Sequence, residues 1–221
     1  MREFSHDFSL CMLIYFCRGR KDGTGMELSE YGIGEGISEV IATTQSEEGE
    51  PNAAPIGIIN HEGYFVRLYN GSKTLSNVLK THKIAANVSN DAVLFVISAF
   101  KNLSREHFTR FQGFPVLRDA DAWVIFKCEP ASSGNGFFEF KLKVQAAKVN
   151  RKGVRAINRG LNAIIEATIL ATRLKVNEND AKEGQKQRIL RKIAYYEGIV
   201  EKCGGKREKE AMKILKIFVI R

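Results

Sequence analysis

Four prolines, four cysteines and one tryptophan among 221 residues leave this chain with few kinks and no obvious cross-links. Cys11, Cys17, Cys128 and Cys203 are scattered, with no Cys-x-x-Cys pair, and His6, His61, His82 and His107 show no ligand spacing. That excludes a disulfide framework and a zinc site read from spacing. Such cysteine usage predicts a reducing, cytoplasmic setting. The apolar run from Phe8 to Phe16 is far short of a bilayer span, so no membrane association is expected. A Gly-x-x-x-x-Gly-Lys-Ser/Thr loop is missing as well, which excludes a Walker-type nucleotide site.

The chain is otherwise ordinary globular material, 44% hydrophobic and 27% charged. This is enough for one large domain, or for a barrel with a helical appendage. The formal charge of +9 raises the question of nucleic acid. Lys and Arg, however, concentrate after residue 140, in stretches such as Lys182 to Lys192 and Lys202 to Lys216. These alternate with Glu and lack the interleaved aromatics of a single-strand binding surface. Solvated helix faces are expected, in preference to a nucleic-acid partner.

Residues 1–25 differ in character from the rest of the chain. Arg18-Gly-Arg-Lys succeeds the short apolar run, and Met26 opens a segment with the character of a true start. The expectation is an N-terminal extension that is disordered or upstream of the native start. Residues 26–150 then read as a strand-rich domain and 151–221 as a helical subdomain, an α+β order.

Ile37 to Thr44 is rich in β-branched residues and predicts a strand, with a turn after it at Ser46-Glu-Glu-Gly-Glu-Pro. Asn52 to Asn60 predicts a second strand, interrupted by Pro55, which a ladder tolerates at an edge or bulge. The small residues Ala53, Ala54 and Gly57 leave room for something flat, or mark an irregular edge. After the His61-Glu-Gly turn, Tyr64 to Tyr69 predicts a third strand containing Arg67. Ser72 then N-caps a helix with Leu75, Val78 and Leu79 on one face. Helix-start N–H groups favour an anion, and Ser72, Lys73, Thr74 and Arg67 add hydroxyls and charge. An ordinary capped helix with two surface cations explains the same letters.

Further on, Lys83 to Val88 predicts a strand, and Ala92 to Phe100 a strand or a short buried helix. Leu103 to Leu117 reads as a loop whose Phe108, Phe111 and Phe114 serve core or dimer packing. Ala122 to Glu129 and Phe137 to Val149 predict two more strands around a turn at Pro130 to Gly136. Helices are predicted over Val154 to Leu174, Asp180 to Cys203 and Lys206 to Arg221.

Taken in order, three segments resemble a known pattern: Pro51-Asn-Ala-Ala-Pro-Ile-Gly57, the stretch from Arg67 through Ser72-Lys-Thr74 to Asn77, and Asn158-Arg-Gly160 with Glu166-Ala167 and Ala171-Thr-Arg173. They are similar to an archaeal family of unknown function within the FMN-binding split-barrel superfamily of flavin reductases and pyridoxamine phosphate oxidases. The likeness runs from about residue 30 to the C-terminus. It implies an FMN-binding split β-barrel with a C-terminal helical subdomain after it. It also implies that Ser72, Lys73 and Thr74 receive the FMN phosphate beside Arg67, Leu68 and Tyr69. By the same resemblance Asn52, Ala53, Ala54, Pro55, Ile56 and Gly57 line the isoalloxazine, largely through backbone groups, with Asn77 and Asn87 as further polar contacts. A homodimer with the flavin at its interface is implied, with residues from the partner chain. Arg159 and Arg173 approach the site, or pair with Glu166 and other carboxylates.

Three functions stay open from these letters. They are a flavin-dependent oxidoreductase that a nicotinamide could supply with electrons, a non-catalytic FMN carrier or sensor, and a basic nucleic-acid-binding protein. No catalytic constellation of side chains is visible, and a flavin enzyme does not require one.

Overall fold

The computed structural model describes residues 27–151, 153, 155–176 and 183–220. The expected N-terminal extension with Met26, and with it His6, Cys11 and Cys17, lies outside the described residues, as does Lys182 of the first basic stretch. So do Val154, Asp180 and Arg221, three of the expected helix ends. Among the described residues, eight strands and five α-helices come after an initial 3-10 turn at Leu28–Tyr31. The strands are β1 (Gly36–Gln45), β2 (Pro51–Asn60), β3 (Tyr64–Tyr69), β4 (Lys83–Val88), β5 (Phe108–Phe111), β6 (Phe114–Leu117), β7 (Ala122–Gly134) and β8 (Phe137–Val149). The helices are α1 (Lys73–Thr81), α2 (Ala92–Phe100), α3 (Arg159–Val176), α4 (Glu183–Cys203) and α5 (Lys206–Ile220).

Six antiparallel strands close a barrel in the order β1-β2-β3-β8-β7-β4, and β5 and β6 form a separate hairpin. Alternation along each strand sends Val40, Ala42, Ile58, Val66, Ile84, Val124, Phe126, Phe140 and Leu142 to the interior. Leu75 and Val78 of α1 join them, so α1 plugs one end of the barrel. Leu79, expected on that face, is exposed instead.

A second cluster lies on the outer wall. Ile41, Ala53, Ala85, Trp123 and Ile125 are covered there by Leu94 and Phe95 of α2 and by Phe108, Phe114 and Val116 of the hairpin. A third joins α2 to α3, α4 and α5 through Val93, Val96, Ile164, Ala167, Val200, Met212 and Leu215. Sandwiched between two cores, α2 is apolar nearly all round. That is why periodicity left Ala92 to Phe100 ambiguous between strand and helix. Asp91 settles it by accepting from the Val93 and Leu94 N–H groups at 2.9 and 3.1 Å.

Two predicted connections become strands. The expected loop at Leu103 to Leu117 contains the β5–β6 hairpin, turned by Gln112 and Gly113 at φ 46° and 77°. Both turn residues are left-handed, as a tight two-residue hairpin turn demands, but Gln-Gly is a weaker signal than Asn-Gly. The predicted turn at Pro130 likewise gives way to a longer β7 that runs to Gly134 and turns at Asn135-Gly136. The ladder slips between Pro130 and Ser132, and that bulge is where a residue without an N–H can be held.

Asn158 caps α3 by accepting from the Gly160 and Leu161 N–H groups at 2.8 and 3.2 Å, so the helix begins there and not near residue 154. A Cβ on Gly160 would lie 2.4 Å from Gly204 Cα, so the start of α3 meets the α4–α5 junction backbone to backbone. At that junction Gly205 N–H donates to Glu208 Oε2, and Arg207 donates to both carboxylate oxygens of Asp91, tying α5 to the cap of α2. No described helix is long and apolar enough to cross a membrane. Gly160→Ala should therefore lower the unfolding free energy by about 1–3 kcal/mol in urea titration, because backbone must move to admit the methyl group. Gly153→Ala, where a Cβ meets nothing within 4 Å, should leave it unchanged.

Candidate functional site

β2 and β3 are paired only at Ile58↔Val66, Ile59↔Phe65 and Asn60↔Tyr64. Beyond that point they part. β3 continues along β8 as far as Tyr69↔Phe137, while Pro51 to Gly57 stay paired with β1 alone. From Pro51 to Gly57 the β3-facing edge of β2 therefore carries no strand ladder, and its N–H and C=O groups, unpaired on that side among the described residues, call for partners. Pro55 sits in this stretch, opposite Ile41.

The chain leaving β3 crosses to α1 through Asn70 and Gly71, the latter at φ 77° with open space where a Cβ would be. Ser72 is the N-cap: its hydroxyl accepts from Leu75 N–H at 3.2 Å, which leaves its own proton to donate. The Lys73 and Thr74 N–H groups lie in the first turn, where a helix offers no internal acceptor. Lys73 is exposed and has no carboxylate partner among the described residues. Beneath the helix start is a buried polar layer. Asn52 Nδ2 donates to Thr74 Oγ1 at 3.2 Å, and Asn77 Nδ2 donates to Thr44 Oγ1 at 3.0 Å. At the end of β1, opposite Pro51, Gln45 Oε1 is buried without a hydrogen-bond partner among the described residues.

The expected residues thus divide into groups. Ser72, Lys73 and Thr74 form the helix start, Asn52 and Asn77 brace it from below, and Ala54, Pro55, Ile56 and Gly57 lie on the unladdered stretch of β2. Arg67 and Tyr69 face outward on β3, and Leu68 faces the interior. Arg67 Nε donates to Glu139 Oε2 at 2.6 Å and its guanidinium lies 5.4 Å from the centre of the Phe137 ring. Ala53 is buried in the outer cluster under α2 and the hairpin. Asn87 stands apart on β4, wholly buried. Its Nδ2 donates to Ile41 O, Thr43 Oγ1 and Ala85 O, and its Oδ1 accepts from Leu117 N–H at 2.7 Å, so the amide fastens the hairpin to the barrel.

Sequence reasoning missed Thr44 and Glu39. The signal for Thr44 is its interior-facing position near a strand end. Glu39 lies on the outer wall over Gly57, its Oε1 3.3 Å from where a Cβ on Gly57 would stand, and Ile37 Cγ2 is 2.7 Å from the same point. The room that Gly57 provides on that face is thus taken by the neighbouring strand. Desolvation, and then the Glu166 carboxylate of α3, push the Glu39 carboxyl above its ordinary range. Burial inside the barrel pushes the Cys128 thiol up to about 12, which makes it inert at neutral pH.

Two family models match, described as the N-terminal domain of a protein of unknown function (DUF447), over residues 38–151, and as DUF447, over residues 158–217. A crystal structure of an FMN-bound protein from Methanosarcina mazei is 42% identical, with a TM-score of 0.78, covering 86% of this chain and 99% of that one. An uncharacterized protein of Methanocaldococcus jannaschii is 24% identical over 193 residues, covering 81% of this chain and 96% of the relative.

Because the folded state holds the Glu39 proton more tightly than the unfolded chain, it retains, at any pH between the two pKa values, a proton that the unfolded chain has largely lost. Stability is therefore lost as pH rises from the ordinary carboxylate range through the raised folded value. Glu166→Gln should lower the Glu39 midpoint in a carboxyl-carbon NMR titration and flatten that slope. An unmoved midpoint would show that the two carboxylates do not interact.

Proposed function

The chain belongs to the DUF447 family, and on that premise we propose that it binds FMN where β2 parts from β3, with the phosphate at the start of α1. The observation that carries this reading is the pairing of two complementary features in one place. One is a helix N-terminus with a lysine that has no carboxylate partner among the described residues and a hydroxyl proton to donate; the other is the β3-facing edge of β2, which has no ladder partner on that side. The first suits a phosphate dianion. The second suits the isoalloxazine edge, an N–H flanked by two carbonyls, which pairs with alternating backbone donors and acceptors. The buried Gln45 carbonyl in the same corner is a further acceptor. The FMN-bound relative, similar over almost its whole length, supports the assignment.

A flavin-dependent oxidoreductase is the finer reading, in a reducing cytoplasm and with a nicotinamide as electron donor. When bound, the flavin supplies hydride or electron transfer, and this chain's part is to hold and orient it. Lys73 and the α1 N–H groups fix the phosphate, and Asn52 and Asn77 hold that helix start against the barrel. A homodimer completes the reading. On the outer wall Ile37, Ile59 and Phe65 stand in one cross-strand row, and Ile37 and Tyr69 are each 66% exposed. A second copy covering that row would shield the flavin edge from water.

The purified protein should show a flavin absorption band, bleached anaerobically by NADH or NADPH. A colourless protein that takes up no FMN would refute the cofactor reading, and a flavin that resists nicotinamide would leave a carrier. Lys73→Ala should weaken FMN binding by about 1.5–3 kcal/mol in fluorescence titration, by loss of a charge-assisted hydrogen bond. Lys80→Ala, in the last turn of the same helix and paired with Glu47, should not. Ile37→Glu should convert a dimer to a monomer in light scattering and lower flavin retention.

A further inference from the structure

Of the three residues in Asn158-Arg-Gly160, folding explains two. Asn158 is the cap of α3, and Gly160 permits the close approach to Gly204. Arg159 has no partner for its guanidinium among the described residues. It lines, instead, a cavity of about 220 Å3 that opens widely to solvent between α3 and α4, together with Asn162, Ala163, Glu166, Tyr196 and Ile199, of which Asn162 and Glu166 are exposed as Arg159 is. Positions 159, 162, 163 and 166 share one helical face, so the cavity follows from the sequence period of α3. Arg159, Asn162, Glu166 and Tyr196 contribute the polar part of its lining, and none has a side-chain hydrogen bond to another described residue. Ala163, Ile199 and the Tyr196 ring supply the apolar part of the lining. Few polar groups around an apolar floor is the ordinary make-up of a small-molecule site, and this volume suits a single-ring compound rather than a dinucleotide.

We propose that this α3–α4 cavity is a second ligand site, which takes a small carboxylate with a flat apolar body. Arg159 binds the carboxylate, through the two-pronged geometry a guanidinium offers. Asn162 and the Tyr196 hydroxyl are placed to add hydrogen bonds, and the ring of the ligand lies over Ala163 and Ile199. Glu166, in the same lining, repels a second negative charge and so restricts the site to monoanions. The Glu166 charge, after burial, also raises the carboxyl of Glu39, which lies over Gly57 on the outer wall of the barrel. The cavity stands on residues separate from those assigned to FMN, and its test does not depend on that assignment.

Benzoate is a suitable probe, with benzyl alcohol as its uncharged counterpart, both followed by saturation-transfer NMR on the full chain. Benzoate should bind the wild type, and Arg159→Ala should weaken it at least tenfold, to the level of benzyl alcohol. Arg173→Ala, on the same helix but outside the cavity, should leave binding intact. Glu166→Gln should tighten benzoate, a gain that damaged folding does not produce. Flavin absorbance, read on the same samples, should be equal in all variants. Equal benzoate binding by wild type and Arg159→Ala, no benzoate binding at all, or an equal loss in Arg173→Ala would each overturn the proposal.

Discussion

The parting of β2 from β3 after Ile58↔Val66 is the constraint on which the rest of the molecule depends. A six-stranded barrel closed along its full length would satisfy its backbone internally and offer no edge. Here β3 stays with β8 while β2 stays with β1, and the barrel remains closed elsewhere through the short β1–β4 pairing at residues 41–43 and 85–87. The chain must bridge the resulting gap to reach α1. The bridge brings a helix N-terminus alongside bare β-backbone. Local geometry that would be a defect in a fully laddered barrel is, in the function proposed above, the receptacle for a ligand with an anionic tail and a hydrogen-bonding edge.

Holding that receptacle open requires rigidity around it. Leu75 and Val78 drive the buried face of α1 into the barrel end, while the Asn52–Thr74 and Asn77–Thr44 bonds set its rotation. A buried amide bonded to a buried hydroxyl is costly to break, so these pairs specify one arrangement as well as stabilising it. On the far side, Asn87 and Thr43 clamp the β5–β6 hairpin over the outer wall: Thr43 Oγ1 donates to Pro115 O, and the Leu117 N–H donates to Asn87. The helices are in turn indexed to the barrel through α2, whose two faces belong to two cores.

Much of this was legible in the letters, and the exceptions have physical causes. The strand β3, whose burial alternates, and the capped helix at Ser72 stood out because local propensity and tertiary role agree there. The β5–β6 hairpin was hidden because four-residue strands are too short to establish a period, and Gln-Gly is a weak turn signal. Asn87 has four internal partners, and no sequence pattern distinguishes a side chain so engaged from one that faces a ligand. Ala53, Ala54 and Gly57 read alike as small residues. The fold nevertheless sends Ala53 under α2, turns Ala54 inward and covers Gly57 with Ile37 and Glu39. Strand registry, not residue size, decides such differences, and registry here is set by contacts far away in sequence.

The most direct measurement is a set of 1H–15N correlation spectra of the flavin-free protein with increasing FMN. The expected result is that the amides of Lys73 and Thr74 move together with those of Ala54, Ile56 and Gly57, in a single saturating process, while Asn87 and Leu117 stay fixed. Shifts confined to α3 and α4, or no shift at the start of α1 despite bound flavin, would contradict the assignment of the site to the gap between β2 and β3.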